Sequence, residues 1–364
     1  MPGRVSIVVR TMGRPELARA LASLAAQTYA DIEIVLVVAN PEYDSQGHAD
    51  TPGVKIVAPG IALNRPNAGN AGLGAASGQW IGFLDEDDWL EPSHISNLVD
   101  ALQHAGGPLL AYSDMIAHEI DHTVVSSAGY WKRRYSDNPV VWIVSALFSR
   151  RLVDEFGCRF DTQFVLLEDW DFFVQCAEFS DCLHVHAATA HYDAHAGTSG
   201  GGSGINRDNA RLKPYLELMT RKWGDRYAHL IASADRELDL ATAAIRGQDF
   251  VAAQLRLDAG LAADPGNPHL LNRLALCRRH AGDWRGVLLA LRRACDSDRN
   301  AFPMYCDLAQ LEHRLGFPAK AKAALERLRV LAASDQERAR VASIAAIVEG
   351  DTAPGPPPPA IRSA

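Results

Sequence analysis

Along the first ninety positions apolar residues come in short runs divided by polar turns. Val5–Val9, Ile32–Val38, Val54–Val57 and Trp80–Leu84 are each a few residues long and rich in Val and Ile, as buried strands are. After the first run Pro15 suits an opening helical position, and Leu17, Leu21 and Leu24 follow at helical spacing. Strand alternating with helix predicts an α/β sheet with largely parallel strands. The pattern is less regular from about Ala111 to Arg150; Phe160–Phe173 then leads into LLEDWDFF, a His-rich stretch HVHAATAHYDAH, and GTSGGGSG, whose composition predicts a mobile loop.

From about Ala232 the chain turns to Ala, Leu and Arg in helical periodicity, and it repeats. Gly282 recurs as Gly316, Leu274 and Ala275 as Leu308 and Ala309, and Ala294 aligns with Leu328, each pair 34 residues apart. An earlier unit (Gly247, Phe250, Ala253, Leu257, Gly260, Pro265) aligns with Gly282, Trp284, Val287, Leu291, Ala294 and Arg299 if one extra residue is allowed in its turn. Thirty-four is the tetratricopeptide period, so stacked antiparallel helix pairs are expected. The reading is therefore an α/β domain over 1–230, an all-α TPR-like repeat domain over 231–350, and a disordered Pro-rich tail over 351–364.

Composition narrows the function. The 364 residues are 48% hydrophobic with a net charge of -8, and the basic residues are scattered, which argues against a nucleic-acid partner. No stretch offers about 18 unbroken apolar residues, so no transmembrane segment is expected. Six cysteines without CxxC pairing suit a reducing compartment. The expectation is a cytoplasmic protein, with peripheral contact at the inner membrane through a partner left open.

The chemistry concentrates in FLDEDDWL, where an apolar strand ends on Asp85, Asp87 and Asp88. Crowded carboxylates call for a cation, and hard divalent ions such as Mg2+ or Mn2+ take oxygen ligands of this kind. An acidic surface turn or helix start is the plainer alternative. Ligands of such sheets gather at the carboxyl ends of the strands, where Arg10, Asn40 and Asp85–Asp88 emerge. GLGAASG (Gly72–Gly78) nearly spells GxGxxG, but Ser77 holds the last glycine position and the run precedes a strand, so a dinucleotide site is not expected.

Three segments in order, VSIVVRTMGRPELARALASLAAQTY, NRPNAGNAGLGAASGQWIGFLDEDDWLEP and LLEDWDFF, resemble the inverting glycosyltransferases of family 2, over roughly residues 4–200. The resemblance implies a GT-A fold and a DXD-type metal site. It also implies transfer of a sugar from a nucleoside-diphosphate sugar donor to a hydroxyl on a glycan, lipid-linked or protein acceptor. It assigns Asp87 as metal ligand, Asp85 near the ribose or in the metal shell, Asp169 as catalytic base with Glu168 beside it, and Asp171 as the next candidate. The three acids of LLEDWDFF equally suit a helix start. By the same likeness Arg10, Thr11 and Arg14 bind the nucleotide, with Arg65 and Asn70 on the approach to the acidic motif. Arg65 suits a diphosphate, although each arginine also reads as a solvated cation.

The late HYDAH segment resembles the family's YxxH, which points to His195, or His191 in its place, for the metal shell. Where many relatives carry Asp after the second strand, Ala39-Asn40 stands here, so the base of the nucleotide is left open. Tyr130, Trp131 and Trp142 could stack on sugar rings or simply fill core. The repeats point to a protein partner or self-association, and an inactive GT-A scaffold working with them as an interaction module is the rival reading. A nucleotidyltransferase on a related fold is a third.

Overall fold

The computed structural model describes residues 3–49, 51–105, 107–127, 141–195, 208–298 and 300–350. They divide into two compact units, one ending at Asp225 and the other beginning at Arg226. The first is built on nine strands: β1 (Val5–Thr11), β2 (Ile32–Val38), β3 (Val54–Val57), β4 (Trp80–Asp85), β5 (Trp89–Leu90), β6 (Leu110–His118), β7 (Thr123–Ser126), β8 (Ala146–Ser149) and β9 (Cys182–Asp193). They form one sheet in the order β3-β2-β1-β4-β8-β6-β9-β5, with β7 beside β6.

The four apolar runs at the start become β1 to β4 and pair in parallel. Beyond β4 the sheet is mixed: β8 lies antiparallel between β4 and β6, and β6 returns to parallel pairing with β9. Three strands, β6, β7 and β8, thus occupy the stretch that reads as irregular. Its core strand β6 buries Ser113 and Asp114 among Ala111, Tyr112 and Met115, and those polar residues break the apolar signal. The α/β domain and the helical region after it, expected from the sequence, are both present.

Helices α1 (Leu17–Ala25) and α3 (His94–Ala105) put Leu17, Ala20, Leu24, Ile95, Leu98 and Leu102 into one core with Ile7, Val9, Leu84 and Met115. Helix α2 (Arg65–Ala75) carries the glycines of the middle motif and starts at Asn64, whose side chain accepts from the Asn67 amide at 3.1 Å. A Cβ on Gly72 would lie 2.2 Å from Cγ1 of Val8, so that glycine is a packing requirement that lets α2 press on β1. Short α4 (Arg151–Asp154) and α5 (Glu168–Ala177) complete the set before α6 (Asn209–Arg246), within which the unit boundary falls.

The second unit continues with α7 (Phe250–Ala263), α8 (Pro268–His280), α9 (Trp284–Ser297), α10 (Phe302–Arg314), α11 (Pro318–Leu331) and α12 (Asp335–Val348). Helices α7, α9 and α11 begin at 250, 284 and 318, a period of 34. Equivalent positions fill equivalent space: Ala253, Val287 and Ala321 are fully buried, as are Leu257, Leu291 and Leu325. Left-handed turns precede these helices at Gln248 (φ 60°), Gly282 (φ 74°) and Gly316 (φ 80°). The first unit therefore needs no extra residue: Gln248, not Gly247, holds the glycine position. Gly247 drew the sequence alignment off by one because glycine is the usual occupant there.

Among the described residues no helix is long and apolar enough to cross a membrane. All six cysteines are free thiols. The GTSGGGSG tract, Tyr130, Trp131, Arg299 and the tail from 351 lie outside the described residues.

Candidate active site

Strand register sets the site. Arg10 is paired with Asp85 across β1 and β4, so the two side chains leave the sheet together at the carboxyl ends of parallel strands. The guanidinium grips Asp85 twice, Nε to Oδ1 at 2.7 Å and Nη2 to Oδ2 at 2.9 Å. Its remaining arm, Nη1, donates to Oε1 of Glu168 at 3.0 Å. One buried arginine thus ties together two acidic motifs 83 residues apart in sequence. Burial acts to lower the arginine's pKa, but Asp85 and Glu168 outweigh it and hold the cation protonated. For Asp85 burial pushes upward and Arg10 more than reverses it, so this carboxyl stays below its ordinary range.

The next acids are less well matched. Burial, with Asp85 close by, raises the pKa of Asp87, although Arg14 Nη1 lies 3.2 Å from its Oδ2. Asp88 is raised well above the ordinary value by burial and then by Asp87 and Asp85, while its Oδ1 accepts from the backbone amide of Asp193 at 3.0 Å. Asp85 to Asp88 therefore carry more negative charge than the two arginines balance, which fits a place for a cation.

Glu86, which no motif in the sequence singles out, builds the wall. Its buried carboxylate accepts from Thr11 Oγ1 at 2.6 Å and from the amides of Met12, Gly13 and Arg14 at 3.1, 3.2 and 3.0 Å. Arg14 Nε adds a further bond at 2.7 Å. Gly13 has φ 86°, which lets successive amides converge on one carboxylate. The available signal was a fourth acid inside FLDEDDWL, out of phase with Asp85 and Asp87 and next to a Gly-containing turn on the neighbouring strand.

The second motif opens α5. Leu167 has φ 61°, a left-handed conformation uncommon for a branched residue, and it starts the helix without any side-chain cap. Glu168, Asp169 and Asp171 crowd the first turn, where the helix dipole favours acids. Asp169 accepts from the Trp170 amide at 2.8 Å, and burial, helped by Glu168, pushes its carboxyl up to about 7. Asp171 has turned away. Fully buried, it is held by Lys222 at 2.9 Å, by Trp223 Nε1 at 2.8 Å and by Gln175 at 2.8 Å.

Both motifs line a single cavity of about 380 Å³. Arg10, Thr11, Arg14, Arg65, Asp85, Asp87, Glu168 and Asp169 all face it, together with Trp142 and Tyr192, whose rings stack at 5.9 Å. Arg65, at the start of α2, carries no ion pair among the described residues and acts on Asp85 through its charge.

The other expected residues fall elsewhere. Asn70 exchanges two hydrogen bonds with the backbone of Phe160, at 2.8 and 3.0 Å, and does not line the cavity. Asn40 bonds the Met12 carbonyl at 3.2 Å, and its neighbour Ala39 faces the cavity instead. His195 is exposed, 3.5 Å from Asp193, and outside the lining. His191 is buried between Glu91 at 2.8 Å and His118 at 2.9 Å, stacked on Trp89. Asp85, Asp87 and His195 do not converge on one point; among the described residues the three-ligand cluster is Asp114, His184 and His186.

Residues 6–157 match the sequence model of the family described as Glycosyl transferase family 2. A Bacillus subtilis (strain 168) protein, described as the uncharacterized glycosyltransferase YwdF, is 27% identical over 233 residues, which is 61% of this chain and 84% of that protein. The succinoglycan biosynthesis protein ExoO of Rhizobium meliloti (strain 1021) is 30% identical over 118 residues, 30% of this chain and 32% of its own length. Among solved structures, S. aureus TarS 1-349 in complex with UDP-GlcNAc aligns at 13% identity with a TM-score of 0.49, covering 95% of this chain and 90% of that one. The matched segment contains nearly all of β1, α2 and the whole Asp85–Asp88 strand end, and the chain is a glycosyltransferase with a segment, residues 6–157, that resembles family 2.

Proposed function

We propose that the cavity binds a nucleoside-diphosphate sugar and that Asp169 accepts the proton of an incoming hydroxyl as it attacks the anomeric carbon, with inversion. The observation that carries this reading is the shared wall: Asp85–Asp88 and Glu168–Asp169 face one cavity and are joined through Arg10. A leaving diphosphate gains negative charge as the glycosidic bond breaks, so its side of the cavity needs positive charge. Arg65 can grip phosphate oxygens bidentately, and the N-terminus of α2 adds backbone amides and a favourable dipole.

The crowded carboxylates fit a divalent ion, Mg2+ or Mn2+. Asp87, raised by burial and incompletely paired, is the first ligand and Asp85 the second; His195, outside the lining, is not part of the proposed set. Such an ion would supply Lewis acidity toward the diphosphate. Arg10 is not a substrate contact in this account, because its three arms hold the two motifs at a fixed spacing.

Asp169 suits a general base. A carboxyl titrating near 7 takes a proton from an alcohol far better than one near 4, and about half of it is still ionised at neutral pH. Asp171, occupied by Lys222 and Trp223, positions α5. The aromatic pair Trp142 and Tyr192 offers an apolar ring face on which a sugar can stack.

Purified full-length protein should release nucleoside diphosphate from one donor in a panel of UDP, GDP and dTDP sugars. Asp169→Asn should lower kcat by about 10²–10⁴-fold with the fold retained, and Asp87→Ala should abolish the dependence of transfer on added Mn2+ or Mg2+. Wild-type protein inert toward every donor, or Asp169→Asn retaining full activity, would overturn the assignment.

A further inference from the structure

A second cluster of metal-ligating side chains lies on the same sheet, away from the cavity. Tyr112 and Asp114 of β6 and His184 and His186 of β9 occupy alternate positions and so face the same side. Asp114 Oδ1 and His184 Nε2 are 2.7 Å apart with both side chains nearly buried, at 9% and 4% exposure. The His184 ring stacks flat on Tyr112 at 4.7 Å, and His186 lies beside it with ring centroids 4.2 Å apart. One ligand atom from each of Asp114, His184 and His186 falls within 4.8 Å of the others.

The backbone is irregular at the same place. Ser113 pairs with Val185, but the next residue of β6, Asp114, pairs with Ala188, so β9 inserts two residues, His186 and Ala187, into the ladder. Bulges of this kind re-aim side chains at the expense of ladder hydrogen bonds. Here the strands lose main-chain pairing where their side chains converge.

We propose that Asp114, His184 and His186 bind a structural transition-metal ion of the zinc class, which pins β6 to β9 across the bulge. Two imidazoles and a carboxylate make a borderline donor set that suits Zn2+ better than Mg2+ or Ca2+. Ligand bonds of about 2.0–2.2 Å in a tetrahedral shell bring neighbouring donor atoms to roughly 3.3 Å. The Asp114–His184 pair opens slightly to reach that spacing, and His186, at the exposed edge of the cluster, closes the third side. Ser127 hydrogen-bonds the Asp114 carboxylate, as outer partners of metal ligands do. None of the three residues lines the cavity, so this site is separate from the acidic strand end and does not depend on the proposed reaction.

The test is a calorimetric titration of chelator-treated full-length protein with Zn2+, alongside thermal unfolding. Wild type should take up one equivalent, with Tm rising by about 5 °C or more at saturating metal. His186→Ala, at an exposed position that should fold normally, should lose at least about 100-fold in affinity and the Tm response with it. His195→Ala should bind zinc as wild type does. Absence of stoichiometric zinc in wild type would leave an ordinary buried His–Asp pair and overturn the proposal. Equal affinity in His186→Ala, or loss of binding in His195→Ala, would overturn it as well.

Discussion

The acidic strand end and the helical repeats show two ways of spending buried volume. In the repeats, small and large apolar residues recur every 34 positions, and the most deeply buried side chains are interchangeable in kind, such as Leu257, Leu291 and Leu325. At the strand end the buried residues are Arg10, Glu86, Asp87, Asp88 and Glu168, and each is held by partners of its own. A uniform apolar core stabilises itself locally. A buried charge network is tolerated only when every member is present, and here it leaves an uncompensated negative surplus facing a cavity. That surplus is what a reaction centre can use.

The sharpest way to break the contrast is Arg10→Ala. It leaves Asp85 and Glu168 facing each other without their shared cation, at an expected cost of about 3–5 kcal/mol. Urea denaturation at pH 7 should show the loss. The deficit should shrink at pH 4, where the stranded carboxylates can take up protons.

Leu291→Ala attacks the other side of the comparison. It should cost about 2–5 kcal/mol through the cavity it leaves, and this deficit should be the same at both pH values because no charge is involved. A pH-dependent Leu291→Ala or a pH-independent Arg10→Ala would erase the distinction.

The smallest effect belongs to Gln248→Gly. Gln248 stands at φ 60° where the equivalent positions are Gly282 and Gly316, so glycine should relieve backbone strain and stabilise by roughly 0.5–1 kcal/mol. A raised urea midpoint with unchanged transfer activity is the expected result.

Much of this was legible in the chain, for identifiable reasons. β1 to β4 are apolar runs bounded by turns, and their common direction places Arg10 and Asp85 at one sheet edge. The 34-residue period was equally visible, because equivalent positions repeat in residue type. β6 and β9 were harder to see: one shared face carries Tyr112, Asp114 and His184, so burial there does not follow hydrophobicity. Glu86 was overlooked because its neighbours look more like ligands, and its role depends on the turn at Gly13, which sequence spacing does not reveal. Asn70 and Asn40 were assigned to the nucleotide from their place in a motif. An amide serves equally well to bind backbone, and both do so.

The separation of Asp169 from Asp171 was also invisible in LLEDWDFF. It arises from Lys222 and Trp223, fifty residues on, which claim Asp171 and leave Asp169 facing the cavity. The same geometry gives the base its pH signature. Its folded-state pKa of about 7 lies above the ordinary 3.8, so between these values the native state holds a proton that the unfolded chain has shed. That group's contribution to stability therefore falls as pH rises through the window, while its capacity as a base grows.

The most direct test is the pH dependence of kcat/KM for sugar transfer by the wild-type enzyme beside Asp169→Asn. A wild-type rate that climbs to a plateau with a midpoint near pH 7, and a slow, pH-flat residual rate in the variant, is the predicted result. A variant that keeps both the wild-type rate and the same break would contradict the role given to Asp169.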